Sequence, residues 1–291
     1  MKTIVVPTDL TPAANDAARY AIHFAKNIKA NLCLCNALLV PMEAPMAGTI
    51  VWPIEDYESL KTSIDEELRT FATKLQQEEH AVSVPGTYHP AVIFATEIGL
   101  VTDVIRNVVS QHKANLVVMG MSGAGDVSRF FLGSKSRDVI DIACFPVLLI
   151  PAQYIFSGIK KIAFATDLSN GDIEIIHSLA GIARCFNADI LISHITKKHN
   201  EAESQRMVDK FLSEVSAKVN YPKIYYRPIK NMNVDDGLDL LSEQSTVDII
   251  AMVHRPHDLL TKIFTTSHTQ KLAKHVPKPL LVFPDGYCAV V

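Results

Sequence analysis

The stretch KTIVVPTDLTP at residues 2–12 returns as KKIAFATDLSN at residues 160–170, and this repetition decides how the chain folds. Each copy is an apolar run that ends in Thr-Asp-Leu and is followed by a helix-start pattern. A buried strand that passes through a short polar turn into a helix is typical of α/β proteins. We therefore expect two α/β units in tandem.

Further repeats fix how the two copies correspond. ANLCLCNALLVP from Ala30 resembles ADILISHITKKH from Ala188, displaced by the same 158 positions as the first pair. Two later pairs, ANLVVMGMSG with VDIIAMVHRP and FPVLLIPA with KPLLVFPD, are displaced by 133 positions. The first copy therefore contains 25 additional residues, which we place between Val40 and about Ile64. This segment is interpreted as a surface insertion or, alternatively, as a flap over a ligand or over the other repeat.

Several strand-like runs are apolar without alternation, which a parallel sheet covered by helices on both faces requires. The predicted fold class is α/β, with two tandem open parallel-sheet, Rossmann-like domains at residues 1–152 and 159–285 and a linker at 153–159. Strands are expected at 3–7, 32–39, 81–88, 116–119, 147–150, 162–166, 190–195, 223–229, 249–252 and 280–283. Helices are expected at 11–27, 57–79, 91–111, 134–143, 173–186, 201–219, 235–243 and 267–275.

Bulk composition excludes several classes of protein. The net charge of the 291 residues is −3, so there is no basic excess for binding nucleic acid. Five cysteines, an odd number, favour buried thiols in a reducing compartment over a disulfide framework. No apolar run approaches the ~20 residues of a membrane span, and the N-terminus lacks a signal-peptide pattern. We expect a cytoplasmic protein with no membrane association.

The segment with a sequence pattern typical of a ligand-binding loop begins at the end of the strand at 116–119 and reads MGMSGAGDVSRFFLGSKSRDVI. Gly120 and Gly123 are separated by two residues, and after nine more Gly133 opens a predicted helix with Ser134, Lys135 and Ser136. Side-chain-free backbone, hydroxyl donors and a helix N-terminus together favour phosphate binding, to which Lys135 and Arg129 add positive charge. The spacing fits neither a Walker loop nor the dinucleotide fingerprint.

Gly-x2-Gly-x9-Gly-Ser after a strand that ends in Val-Met resembles the ATP-binding signature of the universal stress protein family. The resemblance spans nearly the whole chain as two units and includes Pro-Thr-Asp after the first strand. It implies an adenine nucleotide alpha hydrolase-like fold and a site for ATP, with or without Mg²⁺. Adenine and ribose would contact Pro7, Thr8, Asp9, Ala37, Met119 and Gly120. The phosphates would contact Gly123, Gly133, Ser134, Lys135 and Ser136, with Met119 and Gly120 near the α-phosphate.

Simpler interpretations stay open for some of these residues. Asp9 and its counterpart Asp167 are also expected as turn caps. Ser134 is equally expected as a helix N-cap, and Lys135 as a solvent-exposed side chain. The Cys33-x-Cys35 pair faces one side of a buried strand, so core packing is favoured over redox chemistry.

The second copy departs from the signature. Val253, Pro256 and Thr266 replace the three glycines, which places Cβ atoms where phosphates would approach and removes a donor. We expect this half to have lost standard nucleotide binding or to hold something different. A metal at His254 and His257 is the weaker alternative, because no third ligand is evident.

Three functions remain open. The first is a stress-response regulatory protein that binds ATP without strong catalysis; the second is a slow ATPase or an adenylate-transferring enzyme. The third is a scaffold for a protein partner that needs no nucleotide. No catalytic or metal-ligating set is evident in the sequence. The resemblance also implies that the strands at 147–150 and 280–283 pair inside the chain as a pseudo-dimer, with further dimerisation left open.

Overall fold

The computed structural model describes residues 2–39, 54–121, 134–196, 201–230, 232, 234–243, 246–255 and 278–288. Strands and helices alternate along most of this range. The strands are β1 Lys2–Pro7, β2 Ala30–Leu38, β3 Val92–Ile98, β4 Leu116–Gly120, β5 Val147–Ile150, β6 Lys161–Thr166, β7 Asp189–Thr196, β8 Ile224–Lys230, β9 Ile249–His254 and β10 Leu280–Pro284. The helices are α1 Pro12–Ile28, α2 Ile54–Ala81, α3 Val101–His112, α4 Ser134–Ile142, α5 Asp172–Phe186, α6 Glu201–Lys218 and α7 Val234–Glu243.

All ten strands lie in one sheet, in the order β3-β2-β1-β4-β5-β10-β9-β6-β7-β8. Within each half the neighbouring strands pair in parallel, and the half orders 3-2-1-4-5 and 8-7-6-9-10 repeat the same topology. This is the strand order of a doubly wound nucleotide-binding fold, whose order reverses between β1 and β4 in the first half. The predicted fold class is confirmed.

The two halves join edge to edge at the centre of the sheet. β10 pairs antiparallel with β5, so that Leu280, Leu281 and Val282 lie opposite Leu149, Leu148 and Val147. This is the internal pairing that the resemblance implied. Because both strands would otherwise be sheet edges, pairing them satisfies their backbone groups within one chain.

A second contact between the halves lies on one face of the sheet, where α1 packs near α5. Phe24 and Phe186 have ring centroids 5.4 Å apart, and Tyr20 meets Phe156 edge-on at 5.1 Å. Phe156 belongs to the segment that connects the halves, so this connection is packed against both rather than looped away from them. One buried cluster accordingly includes side chains of both halves.

The start and end of α1 follow from its sequence. Thr11 is the N-cap, with its Oγ1 accepting a hydrogen bond from the Ala14 N–H at 3.4 Å, and Pro12 occupies the first turn. Lys29 ends the helix in the left-handed conformation, where its N–H reaches the carbonyls of the last turn.

Two elements of the first half were predicted wrongly. The expected strand at 81–88 is the end of α2 followed by turns, because Pro85 and Gly86, the latter at φ +84°, interrupt any strand there. The expected helix at 91–111 is instead β3 followed by α3. Its first part, VIFATEI, is rich in β-branched and aromatic residues and pairs with β2 along its length.

The additional residues of the first copy are not all in a loop. Helix α2 has 28 residues where its counterpart α6 has 18, so part of the extra length extends a helix. Residues 54–64 of the predicted insertion belong to this helix. The rest of that segment, 40–53, lies outside the described residues, as does the predicted helix at 267–275.

Over the described ranges, no helix is both long and apolar enough to cross a membrane.

Candidate functional site

The turn after β1 is held by its own side chains. Thr8 Oγ1 accepts a hydrogen bond from the Leu10 N–H at 3.0 Å. Asp9 Oδ1 accepts from the Thr11 N–H at 3.2 Å and from Thr11 Oγ1 at 2.6 Å. These bonds hold Leu10 at φ +60°, a conformation that residues other than glycine rarely adopt. Strained backbone of this kind is concentrated at functional sites.

The same turn is tied to the end of β2. The Thr8 N–H donates to the Cys35 carbonyl at 2.8 Å, and Asn36 Nδ2 donates to the Thr8 carbonyl at 2.8 Å. Because a carbonyl oxygen only accepts hydrogen bonds, the NH2 group of the Asn36 side chain, not its oxygen, faces the Thr8 carbonyl. Thr8 and Asn36 are buried, so the ends of β1 and β2 are joined by buried hydrogen bonds.

An open cleft lies at the carboxyl ends of β1, β2 and β4, where the strand order reverses. Ligands bind at this position in open parallel sheets. Eight residues predicted from the sequence line it: Pro7, Thr8, Asp9, Ala37, Met119, Gly120, Lys135 and Ser136. Eight others complete its described lining: Thr11, Ala13, Ala14, Cys35, Asn36, Val101, Val104 and Ile105.

Three predicted residues stand apart from this group. Gly123 and Gly133 lie outside the described residues, so their contact with phosphate stays a prediction from the sequence. Ser134 is exposed at the first position of α4 and does not line the cleft. The two following residues do line it. Ser136 is buried, and its hydroxyl donates to the Gly120 carbonyl at 3.4 Å.

Gly120 has a packing reason to be glycine. A Cβ at this position would lie 2.5 Å from the carbonyl oxygen and 2.8 Å from the carbonyl carbon of Ala13. The space beside Gly120 is therefore taken by the backbone at the start of α1. This differs from the sequence-based interpretation, in which the missing side chain left room for an anion. The close approach brings the end of β4 against the start of α1, both of which line the cleft.

The described lining of the cleft contains few charged groups. Asp9 is the one carboxylate among the described lining residues, and its Oδ1 already serves the turn. This is the cap that the simpler interpretation of Asp9 predicted. Cys35 has a pKa well above that of a free thiol, because burial disfavours the thiolate and Cys33 adds to the effect. Both cysteines are protonated residues of the core, as expected.

The lining residues that sequence reasoning missed have weak signals. Thr11 and Asn36 flank predicted site residues, but their patterns indicate only a helix cap and a strand position. The apolar wall from α3 was missed because the predicted helix began at residue 91, without the strand before it. Had the strand β3 been predicted, the helix would have been expected to begin after it, with its first residues at the same edge of the sheet as the cleft.

The second half reproduces the turn. Leu168 has φ +67°, and its N–H donates to Thr166 Oγ1 at 2.8 Å. Asp167 Oδ1 accepts from the Ser169 N–H at 3.1 Å. His194 stands where Asn36 stands in the first half and places Nδ1 2.9 Å from the Thr166 carbonyl. The turn is thus duplicated with the same Thr-Asp-Leu residues, and the contact from the neighbouring strand comes from His194 instead of Asn36.

An arginine occupies the region beyond this second turn. Arg255 lies two residues after Val253, the counterpart of Gly120. Its Nη1 lies 2.6 Å from Asp167 Oδ2, and its Nη2 lies 2.8 Å from Asp172 Oδ1. Its Nε is also 3.7 Å from Asp285 Oδ1. Asp172 is almost fully buried; burial raises its pKa, and the Thr166 hydroxyl and Arg255 oppose that shift. The second half therefore supplies its own cation at the carboxyl ends of β6, β9 and β10.

The neighbouring histidine contacts the other half. His254 Nε2 lies 3.0 Å from Asp141 Oδ1 on α4, the helix that follows the signature. His257, the other residue of the weak metal hypothesis, lies outside the described residues.

Comparison with known proteins agrees with this architecture. The model of the universal stress protein family matches residues 1–151. A universal stress protein of Methanocaldococcus jannaschii is 30% identical over 152 residues, covering 51% of this chain and 81% of the relative. The crystal structure of a universal stress protein from Archaeoglobus fulgidus has a TM-score of 0.70 at 16% identity and covers 98% of both chains. A functionally unknown protein from Pseudomonas aeruginosa has a TM-score of 0.55 at 14% identity, covering 98% of this chain and 92% of its own.

Proposed function

Because the chain belongs to the universal stress protein family, as its motifs predicted, we propose that its first half binds ATP. The nucleotide lies in the cleft at the carboxyl ends of β1, β2 and β4. The observation that carries the proposal is that eight residues implied by the family resemblance, from β1 and the turn after it, β2, β4 and α4, converge on one cleft at the reversal of strand order. The protein then acts as a nucleotide-binding regulator in a stress response.

The two ends of the cleft suit the two ends of the nucleotide. Ala37 at the end of β2 and the apolar α3 residues Val104 and Ile105 offer a surface for the adenine ring. Lys135, in the first turn of α4, offers a cation to the phosphates. The Ser136 hydroxyl lies beside it and would exchange its long bond to the Gly120 carbonyl for a phosphate oxygen. The N-terminus of α4 adds the positive end of the helix dipole. Gly123 and Gly133 belong to the proposal through the sequence alone.

Binding without strong catalysis is the preferred form of this function. Hydrolysis needs a positioned base or a metal-bound water, and Asp9 is the carboxylate that the described lining offers. Its Oδ1 is engaged by Thr11, while an oxygen of Asp9 remains suitable as a ligand of Mg²⁺ accompanying the phosphates. A slow ATPase stays the alternative.

The second half is proposed not to bind ATP. In the second half, the region that corresponds to the first cleft contains Arg255 and the three carboxylates that pair with it. Ile195 also stands where the first half has Ala37, which removes room at the adenine end. We expect one ATP per chain.

Organisation and location complete the proposal. We assign the two units to residues 1–152 and 159–285, which meet at the β5–β10 pair. All five cysteines are free, but only Cys33 and Cys35 are buried; the prediction of buried thiols is wrong for Cys144, Cys185 and Cys288, which are exposed. Exposed free thiols still suit a reducing cytoplasm. Association with a protein partner or a second chain stays a prediction.

Ala37 provides a test with a matched control. Ala37→Ile copies the residue of the second half into the first cleft, on a strand position that accepts isoleucine in its repeat. Titration calorimetry should give one ATP per chain for the parent and at least a tenfold weaker affinity for Ala37→Ile, about 1.4 kcal/mol. Ile195→Ala should leave the affinity unchanged.

Released phosphate, measured on the same samples, separates binding from turnover. Release at background would favour the regulator. Release that disappears in Ala37→Ile would favour the ATPase. A parent protein that takes up no ATP, or an Ala37→Ile variant that binds as the parent does, would refute the proposed site.

A further inference from the structure

Two histidines and a glutamate meet at the end of α2, away from the cleft. Glu79 and His80 lie in the last turn of α2, and His89 lies in the segment that leads into β3. One potential ligand atom from each residue lies within 4.8 Å of the other two. Over the described ranges, these three residues form the one such group of histidine, cysteine, aspartate and glutamate side chains.

The carboxylate of this group is ready to bind a cation. Glu79 is only 1% exposed, and its Oε2 lies 2.9 Å from His89 Nδ1. Lys26 Nζ lies 2.9 Å from the other carboxylate oxygen, Oε1, and Ser83 Oγ donates a hydrogen bond to the same oxygen. The carboxylate is therefore held in place by its neighbours, with Oε2 facing His89.

The two imidazoles are arranged side by side. The rings of His80 and His89 are stacked with centroids 4.1 Å apart and planes 10° from parallel. Both residues are exposed, so an ion from solvent has direct access to them. Neutral imidazole is the form of histidine that binds metals.

We propose that Glu79, His80 and His89 form a binding site for a divalent transition metal, of which Zn²⁺ fits best. Two imidazoles and one carboxylate are a frequent ligand set for Zn²⁺, which completes its tetrahedron with water. Ligand atoms of a tetrahedral Zn²⁺ are about 3.3 Å apart. The three ligand atoms here all lie within 4.8 Å of one another, so no pair has to close by more than about 1.5 Å. Zn²⁺ takes the place of the hydrogen bond between His89 and Glu79 Oε2.

The surroundings suit this arrangement. Lys26 and Ser83 stay on Oε1 and orient the carboxylate, as hydrogen bonds outside the ligand set of a metal commonly do. The site joins α2 to the segment before β3, at the amino ends of the strands. The nucleotide cleft lies at their carboxyl ends, so the proposal is independent of ATP binding.

The test is a titration with Zn²⁺ alone, competed by a chelator of known affinity, on the full chain. The parent should bind one equivalent, and Co²⁺ in its place should give the intense visible absorption of a tetrahedral site. His80→Ala and His89→Ala, both at exposed positions, should each weaken Zn²⁺ binding at least about tenfold. His177→Ala, at an exposed position on α5, is the matched control and should bind like the parent.

Three outcomes would overturn the site. They are the absence of a one-equivalent phase, equal affinities for His80→Ala and His177→Ala, and a Co²⁺ spectrum of octahedral type. Circular dichroism of each variant shows whether it is folded, so a lost site is distinguished from a lost fold.

Discussion

Gly120 lies where the end of β4 approaches the start of α1, and replacing it with alanine tests that packing. The new Cβ would lie 2.5 Å from the Ala13 carbonyl oxygen, whereas ordinary contacts begin at 3.4 Å. The backbones must therefore separate by about 0.9 Å at that point. Overpacking of this kind costs about 1–3 kcal/mol, and the obstructing atoms belong to backbone that cannot rotate away. We expect Gly120→Ala to destabilise the protein by about that amount.

Urea unfolding measures this cost, and a second glycine provides the control. Gly181 lies inside α5, and a Cβ there meets nothing within 4 Å, so Gly181→Ala should stabilise the protein by about 0.5–1 kcal/mol. The same displacement widens or tilts the cleft wall, so Gly120→Ala should also weaken ATP binding. If Gly120→Ala unfolds at the urea concentration of the parent, the described contact between β4 and α1 is wrong.

Three other changes have defined outcomes. Arg255→Met leaves the buried Asp172 without its cation and should cost about 3–5 kcal/mol in urea unfolding, with part of the loss recovered in Arg255→Met/Asp172→Asn; no loss would contradict the ion cluster. His23 has a pKa below 6.5 in the folded protein, because burial outweighs the attraction of Glu79. The unfolded chain therefore binds a proton at this residue more readily, and the free energy of unfolding falls as the pH drops from 6.5 towards the folded pKa. His23→Gln should therefore lose less stability than the parent between pH 6.5 and 5, and parallel curves would contradict the assignment. Leu281→Ala, at the junction of the halves, should cost about 2–5 kcal/mol, whereas Leu39→Ala, 60% exposed, should change stability by less than about 0.5 kcal/mol; equal effects would contradict the junction.

Much of the fold was predictable because the chain repeats itself. The stretches ending in Thr8-Asp9-Leu10 and Thr166-Asp167-Leu168 have the same side-chain pattern, and the structure gives both the same left-handed leucine. Apolar strands without alternation indicated a parallel sheet. The region from Ala81 to Gln111 was predicted wrongly in two ways: a strand was placed on the turn that contains Pro85, and one helix was predicted across the edge strand β3 and helix α3, which follow each other closely.

The cleft was predictable only in part. The glycine spacing identified the start of α4 with Lys135, and the family resemblance implied Met119 at the end of β4. Neither carried information on the contact of Gly120 with Ala13 or on the wall from α3, because these depend on tertiary packing. The ion cluster of Arg255 was missed for the same reason: Asp172 and Asp285 are distant in sequence and belong to no motif.

Photolabelling with 8-azido-ATP, followed by peptide mapping, tests most directly where the nucleotide lies. The azide is carried on the adenine ring, so the proposed site places the label on peptides containing the end of β2 or the start of α3. Excess ATP should suppress that label, and Ala37→Ile should reduce it. Suppressible label on peptides of β7 or β9 in the second half, or no suppressible label at all, would contradict the account.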